Sequence, residues 1–260
     1  VKGYQDKVGA AAEQVGVAFG QLDALNNSKQ DPFLIKDKVS GVQQSWSDLA
    51  GRVTSLSPND NIEQHGKLIN AMAAIAYTYA ERSKLIVDPK LDLNYLINGV
   101  LLKLPALIES MGQARDMGVE YAAGNFNTEN HAKLTTLSTD MARVEQQLKK
   151  QFEAVYRENA DLSQAFESSS NALDQALQDF SLILNTDLLM EAGGTTTPEK
   201  LYARVNEAIV AIEDMRLSIV PVVQGQLEER LTKAKSRRSL VIAVSMAIVL
   251  IAAYLFAGFY

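Results

Sequence analysis

The chain has 260 residues, and its 25 lysines and arginines against 31 aspartates and glutamates give a formal net charge of −6 at pH 7. This acidic balance argues against a nucleic-acid-binding protein, because binding to phosphates requires a basic face. The sequence has no cysteine and only two histidines. Disulfides, thiol nucleophiles, cysteine–zinc sites and histidine-rich metal centres are therefore excluded.

The first three predicted elements are amphipathic helices. Apolar residues recur at alternating steps of four and three from Tyr4 to Leu25 and again from Ile35 to Leu56, the spacing of a stripe on one helix face. Ser57 and Pro58 predict the N-cap and first turn of the third helix. Its predicted stripe consists of Ile62, His65, Ile69, Met72, Ala76, Tyr79, Ser83 and Ile86. No stretch alternates with a period of two, so no strands are predicted.

A fourth helix is predicted from Asp92 to Gly124, after a break at Asp88-Pro89. Its stripe contains the repeated step of four Leu96–Val100–Leu104, a stutter that locally unwinds the supercoil of packed helices. Pro105 follows directly and should kink the helix by removing one hydrogen bond. The two features together predict either a space between helices that could serve as a pocket or a simple irregularity of packing.

Residues 128–192 contain neither glycine nor proline and carry a helical apolar stripe from Leu134 to Leu184. They form either one long helix that starts near Thr128 or two helices, with Ser168-Ser169-Ser170-Asn171 as the predicted break. The glycine- and threonine-rich segment 193–197 predicts a loop. A last helix should then start at Thr197-Pro198-Glu199 and continue without a linker to the end of the chain.

The last 22 residues, 239–260, have no charged side chain and no proline. As a helix they would reach about 33 Å, which matches a hydrocarbon core of about 30 Å. We therefore predict a soluble helical domain over residues 1–236 and a membrane-spanning helix over residues 239–260. A buried core helix is the alternative for this run. Lys233, Lys235, Arg237 and Arg238 precede the run, and taken alone they would place the soluble domain in the cytoplasm.

The segment 79–96 contains Val-Asp-Pro-Lys-Leu-Asp-Leu-Asn-Tyr-Leu. It resembles the Leu-Asp-Pro-x-Leu-Asp-x-x-Tyr-Leu motif of bacterial transmembrane sensors, which include methyl-accepting chemotaxis proteins and sensor kinases. In these sensors a Leu-Pro pair follows the motif, and Leu104-Pro105 is similar to that pair. The segment 111–115 is similar to the glycine- and arginine-containing stretch that comes next. The segment 254–260 resembles the end of the second membrane span. Val87 stands where leucine is usual, and Leu93-Asn94 replaces a serine- and tyrosine-rich pair.

The resemblance implies an elongated antiparallel helical bundle, either one four-helix module or two stacked modules, that continues into a C-terminal transmembrane helix. It also implies a homodimer in the inner membrane, with the soluble domain in the periplasm and a signalling module beyond the membrane. This topology opposes the one favoured by the basic flank. The alternative function is therefore a cytosolic helical tether held by a C-terminal tail anchor, similar to syntaxin.

Chemistry-bearing residues are scarce in the sequence. We find no Ser–His–Asp set, phosphate-binding glycine loop or metal-ligand cluster, and we predict neither an enzyme nor a cofactor. Asp88 and Asp92 are too few for a calcium site and are better interpreted as capping residues. Polar residues on or beside the stripes are the candidate ligand-binding residues: His65, Arg82, Tyr95, Asn98, Arg115 and Arg216. An inward arginine would favour a small anionic ligand, and a solvated arginine is the alternative for each.

Overall fold

The computed structural model describes residues 2–28, 31, 33–124, 128–190 and 196–259. These residues form eight α-helices: α1 (Lys2–Ser28), α2 (Lys36–Ala50), α3 (Pro58–Arg82), α4 (Leu91–Asn98), α5 (Leu104–Ala122), α6 (Thr128–Glu158), α7 (Asp161–Leu182) and α8 (Pro198–Phe259). A 3-10 turn (Leu85–Val87) precedes α4, a π turn (Gly99–Lys103) joins α4 to α5, and a second π turn (Ile183–Leu189) extends α7. The predicted all-α fold is confirmed, since no strand occurs among the described residues.

The continuous helix α4–α5, together with α6, α7 and α8, forms an antiparallel four-helix bundle. Its core contains the apolar stripe of α8, in which Leu201, Val205, Ala208, Ile212, Met215 and Ile219 are all fully buried. Val222, at the end of this stripe, packs against the same core and is partly buried. The predicted start of α8 is also confirmed, because the backbone N–H of Lys200 donates to Thr197 Oγ1 at 3.3 Å.

The predicted irregularity in the fourth helix is the π turn between α4 and α5. The N–H of Leu104 donates to the carbonyl of Gly99, five residues earlier, and Pro105, which has no N–H, follows immediately. The wider turn accommodates the extra step in the apolar spacing, because Leu96 and Leu104 on either side of it are both fully buried. The stutter thus alters the helix itself and leaves its stripe in the core.

The chain reverses direction at Asn159 and Ala160. The residues between 128 and 192 therefore form two antiparallel helices, and the predicted break at residues 168–171 is wrong, since these residues lie inside α7. Backbone hydrogen bonds from Asn159 N to Val155 O (2.9 Å) and from Leu162 N to Asn159 O (3.2 Å) close the turn without glycine or proline. Packing of both apolar stripes into one core fixes this turn. Asn159 and Asp161, residue types common in turns and at helix starts, mark it only weakly in the sequence. The predicted loop at residues 193–197 falls mostly outside the described residues.

Helices α1, α2 and α3 form a second, smaller apolar cluster around Phe19, Ile35, Val39, Val42, Leu49, Leu68 and Ile75. This cluster comprises three described helices, whereas the predicted alternative of two stacked modules requires four helices in each. The predicted start of α3 is confirmed, because Ser57 Oγ accepts a hydrogen bond from Asp60 N at 3.2 Å. The predicted stripe of α3 is wrong in part: Ile69 and Met72 are each 44% exposed. The buried face is rotated by one residue towards Leu68 and Ile75.

Helix α8 is 62 residues long and runs without interruption from the four-helix core through Pro221 to Phe259. Every side chain from residue 231 to residue 257 is exposed, and no described part of the chain covers the apolar run. Among the described residues, two helical stretches are long and apolar enough to cross a membrane, residues 91–122 and residues 198–257. The first is partly buried in the bundle, so the second is the candidate membrane-spanning helix.

Gly118 lies at a close contact between α5 and the start of α8. A β-carbon at this position would lie 2.7 Å from Leu201 Cδ2 and 3.3 Å from Leu188 Cδ2, and both leucines are fully buried. We expect Gly118→Val to lower the free energy of unfolding by about 2 kcal/mol through overpacking. Gly112→Ala, in the same helix with no atom within 4 Å of the added carbon, should raise it by about 0.5–1 kcal/mol.

Urea unfolding of both variants in detergent micelles measures this difference. Equal stability of the two variants would show that the helices are not in close contact at Gly118.

Candidate functional site

The segment between α3 and α4, which carries the Asp-Pro motif, lies against the part of α8 that leads to the apolar run. Lys84 adopts a left-handed conformation (φ 60°) and Asp88 an extended one before Pro89, as the proline ring requires. This path brings the Asp88 carboxylate to Arg230 on α8. Nη2 of Arg230 donates to Oδ1 at 2.9 Å, and Nη1 donates to Oδ2. The result is a bidentate arginine–carboxylate ion pair, which is among the strongest interactions between side chains.

A second set of contacts supports the same junction. Lys90 Nζ donates to Gln226 Oε1 at 2.9 Å, one helical turn before Arg230 on α8. The same ammonium lies 3.0 Å from Oδ2 of Asp92, whose side chain is almost completely buried. Asp88 and Asp92 are therefore balanced by Arg230 and Lys90, and among the described residues no cluster of three or more histidine or acidic groups could hold a metal ion.

The ion pair affects the protonation of both partners. Burial raises the pKa of the Asp88 carboxyl, but hydrogen bonds from Arg230 and the Lys90 N–H, together with their positive charges, outweigh burial and hold the pKa below its ordinary value. The hydrogen bond to Asp88 raises the pKa of Arg230. Both groups are thus charged at neutral pH. Since Arg230 lies nine residues before Ser239, the junction is about 14 Å from the start of the apolar run.

Three of the six predicted ligand-binding residues contact backbone carbonyl oxygens of the chain. His65 Nδ1 lies 2.9 Å from the carbonyl oxygen of Asn61, one turn earlier in α3. Arg82, at the end of α3, donates to the carbonyls of Phe33 and Leu34 and so connects α3 to the segment before α2. Asn98 Nδ2 donates to the Asn94 carbonyl at 2.9 Å.

Tyr95, Arg115 and Arg216 belong to the four-helix bundle. Tyr95 is partly buried and packs against its core. Arg115 donates to Asp116 Oδ1 at 2.9 Å and to Asn206 Oδ1 at 3.2 Å.

The guanidinium carbon of Arg115 lies 5.3 Å from the centre of the Tyr202 ring. Arg216 pairs with Glu213 through two hydrogen bonds, which lower the pKa of Glu213 and raise that of Arg216. The six residues lie on α3, α4, α5 and α8, and only Tyr95 and Asn98 are neighbours on one turn. The structure does not gather them into one pocket.

A groove between α6 and α7 is the site that the sequence did not reveal. It contains a cavity of about 210 Å³ with an apolar floor that includes Phe152, Leu173 and Leu177. Glu145, Lys149, Glu153 and Asp174 contribute polar lining to the same cavity. A second cavity of about 370 Å³ continues towards the α6–α7 turn, and Tyr156 and Ser170 line both cavities. We call these two adjoining cavities the α6–α7 groove.

Lys149 is the single basic residue of the α6–α7 groove, within the residues that line it. Its ammonium lies 2.8 Å from Glu145 Oε1 and 3.5 Å from Asp174 Oδ1, and the hydrogen bond to Glu145 is the main reason why the pKa of Lys149 is raised. Burial raises the pKa of the Tyr156 phenol, and the nearby Ser170 hydroxyl offsets part of this effect. The polar residues of α6 recur at helical spacing, which from sequence alone is typical of a solvated face. Only the unpredicted reversal at Asn159 brings that face against α7.

Comparison of the chain with protein-family models, with curated proteins and with solved structures finds no match. The site must therefore be interpreted from its own geometry.

Proposed function

We propose that this chain is the extracytoplasmic sensing region of a transmembrane signalling receptor. In this proposal, a ligand-induced displacement of the helical bundle passes through α8 to an output module on the other side of the membrane. The observation that supports it is the continuity of α8, which is a core helix of the bundle over residues 201–219 and the candidate membrane-spanning helix over residues 239–259.

A continuous helix transmits displacement, whereas a flexible glycine- and serine-rich linker absorbs it. Within α8, Pro221 and Gly225 lie inside regular helix, and the chain does not unwind at the basic cluster around Lys235. A signal also requires two packings of the bundle that are close in free energy and a ligand that binds one of them better. Small sliding or rotation of long antiparallel helices can supply those two packings.

The junction with the Asp-Pro motif gives the bundle a second contact with the membrane-proximal part of α8. Arg230 pairs with Asp88 and Gln226 accepts from Lys90, so movement of α4 relative to α8 would act on α8 close to the membrane. In our proposal the motif therefore couples the bundle to the signalling helix. The resemblance of residues 79–96 to the motif of bacterial sensors adds to this argument.

The same proposal places the protein in the inner membrane as a homodimer, with residues 1–236 in the periplasm. Ile69 and Met72, which are exposed on α3, are available for contact with a second copy.

A tail-anchored cytosolic tether is the second candidate function. It is favoured by the exposed basic side chains of Lys235, Arg237 and Arg238, which by the positive-inside rule prefer the cytoplasmic side of a membrane.

The two candidates differ in topology, and the absence of cysteine from the sequence allows a direct test. Single cysteines are introduced as Ser168→Cys, at an exposed position of α7, and as Ser245→Cys, inside the apolar run. The intact protein is expressed in bacterial cells with a permeabilised outer membrane, and a membrane-impermeant maleimide is added. We expect Ser168→Cys to be labelled without cell lysis, because a periplasmic domain is directly accessible to the reagent.

Ser245→Cys serves as the control and should resist labelling before and after lysis until detergent dissolves the membrane. Labelling of Ser168→Cys only after lysis would place the domain in the cytoplasm and replace the receptor proposal by the tether.

A further inference from the structure

We infer that the α6–α7 groove binds a small organic cation, an amine or ammonium group attached to an apolar body. This inference rests on the proposed function, since it supplies the class of ligand that the receptor would sense. It follows from the shape, the charge and the aromatic lining of the groove.

The shape of the groove suits a ligand that is partly apolar. The cavity of about 210 Å³ has the side chains of Leu148, Phe152, Leu173 and Leu177 as its apolar lining. These side chains come from both helices, so a ligand seated here would contact α6 and α7 at once. Such a ligand can favour one relative position of the two helices, which is what a signalling ligand must do.

The charge of the groove selects a cation. Glu145, Glu153 and Asp174 line the cavity with one basic residue, Lys149, and Glu167 adds another carboxylate in the adjoining cavity. Lys149 can balance only one of these carboxylates. The groove therefore has a surplus of negative charge, which attracts a cationic ligand and repels an anion.

Of the two carboxylates that pair with Lys149, Asp174 is the more available to a ligand ammonium. Lys149 lies at hydrogen-bond distance from Glu145 (2.8 Å) but farther from Asp174 (3.5 Å). An ammonium can therefore bind Asp174 while Lys149 keeps its partner. Asp174 is also half exposed, with 43% of its side chain accessible, so the ligand need not displace a buried group.

Two aromatic residues of the cavity of about 210 Å³, Phe152 and Tyr156, provide a second element of cation recognition, and Tyr156 also lines the adjoining cavity. The rings of Phe152 and Tyr156 are stacked with centroids 6.1 Å apart and an interplanar angle of 23°. The Tyr156 hydroxyl oxygen is shielded from solvent and makes no well-formed hydrogen bond among the described residues. Aromatic faces attract ammonium groups, and the hydroxyl offers an oxygen acceptor to an ammonium N–H.

The test uses three probes with the same apolar body and different charge: 2-phenylethylamine, 2-phenylethanol and phenylacetate. Binding to the chain of residues 1–260 in lipid nanodiscs is measured by calorimetry at neutral pH. We expect the amine to bind with a Kd below about 1 mM, and the alcohol and the carboxylate to bind at least about tenfold more weakly, because a charge-assisted hydrogen bond is lost.

Two variants of the groove localise the site. Asp174→Asn should weaken amine binding by about tenfold or more, and Tyr156→Phe should weaken it by a smaller factor, since only a neutral acceptor is removed. Asp179→Asn is the matched control: it makes the same chemical change on α7 at a residue that bonds Gln175 outside the cavity lining. Circular dichroism confirms that each variant retains its helices.

Equal binding of amine and alcohol, no measurable binding of the amine, or unchanged binding by Asp174→Asn would each overturn the inference. None of these results bears on the topology that maleimide labelling would determine. The binding experiments can therefore reject the cationic ligand without rejecting the receptor proposal, and the labelling experiment can reject the receptor proposal by itself.

Discussion

Replacing both Val244 and Ile248 with arginine is expected to abolish integration of the C-terminal helix into a membrane. The two residues lie one turn apart near the middle of the apolar run and are 50% and 61% exposed. An arginine at the centre of a membrane helix costs about 2.5–3.5 kcal/mol on insertion scales, and each lost valine or isoleucine costs a further few tenths. The double change should therefore offset the favourable contributions of the remaining apolar residues.

The measurement is translation of residues 230–260 within a host protein that has glycosylation sites on both sides of the segment, in the presence of microsomes. The unaltered segment should integrate and be glycosylated on one side only. Val244→Leu with Ile248→Leu is the control and should integrate equally well. Equal integration of the arginine variant would show that the run is not a membrane-spanning helix.

Arg230→Ala is expected to lower the free energy of unfolding by about 1–2 kcal/mol at neutral pH. The Asp88 side chain is only 7% exposed, so removal of its partner leaves a largely buried carboxylate without a countercharge on α8. Removing one partner of a completely buried ion pair would lower the free energy of unfolding by about 3–5 kcal/mol. The smaller value follows because Arg230 is 40% exposed and water can partly replace it.

Urea unfolding in detergent micelles at neutral pH measures the effect. Lys233→Ala is the matched control one turn later, because Lys233 forms a fully surface-exposed pair with Glu229. Its loss should leave the free energy of unfolding nearly unchanged. Equal destabilisation by the two variants would show that the Asp88–Arg230 pair has no special role.

The stability difference between the wild type and Arg230→Ala should also depend on pH. The pKa of Asp88 is lowered in the folded protein, so its contribution to stability is fully present above the unfolded-state pKa of about 3.9. It is lost as the pH falls through the lower, folded-state pKa. The same unfolding experiment at acidic pH should therefore show the two proteins converging. A constant difference across this range would contradict the assignment of the ion pair.

Much of the architecture could be predicted from residues that act locally. Ser57 and Pro58 fix the start of α3, Thr197 and Pro198 fix the start of α8, and the run after Ser239 shows a helix suited to lipid. Caps, prolines and apolar periodicity determine structure within a few residues of themselves, so they can be interpreted without knowledge of neighbouring helices.

The parts that could not be predicted depend on contacts between helices. The reversal at Asn159 contains no glycine or proline, and it decides that α6 lies against α7 and that the α6–α7 groove exists. The predicted stripe of α3 contained Ile69 and Met72, yet tertiary packing selected the neighbouring face with Leu68 and Ile75. A helix with apolar residues on two adjacent faces can bury either, and its partners determine which one.

The sequence by itself determined an all-α chain, the ends of several helices and a C-terminal helix long enough to cross a membrane. Only the tertiary structure decided that Asp88 meets Arg230, across 142 positions of the sequence, and that Glu145 and Asp174 line one cavity. The physical reason is that helix formation depends on interactions within about four residues, whereas charge pairing and cavity formation depend on how distant helices pack.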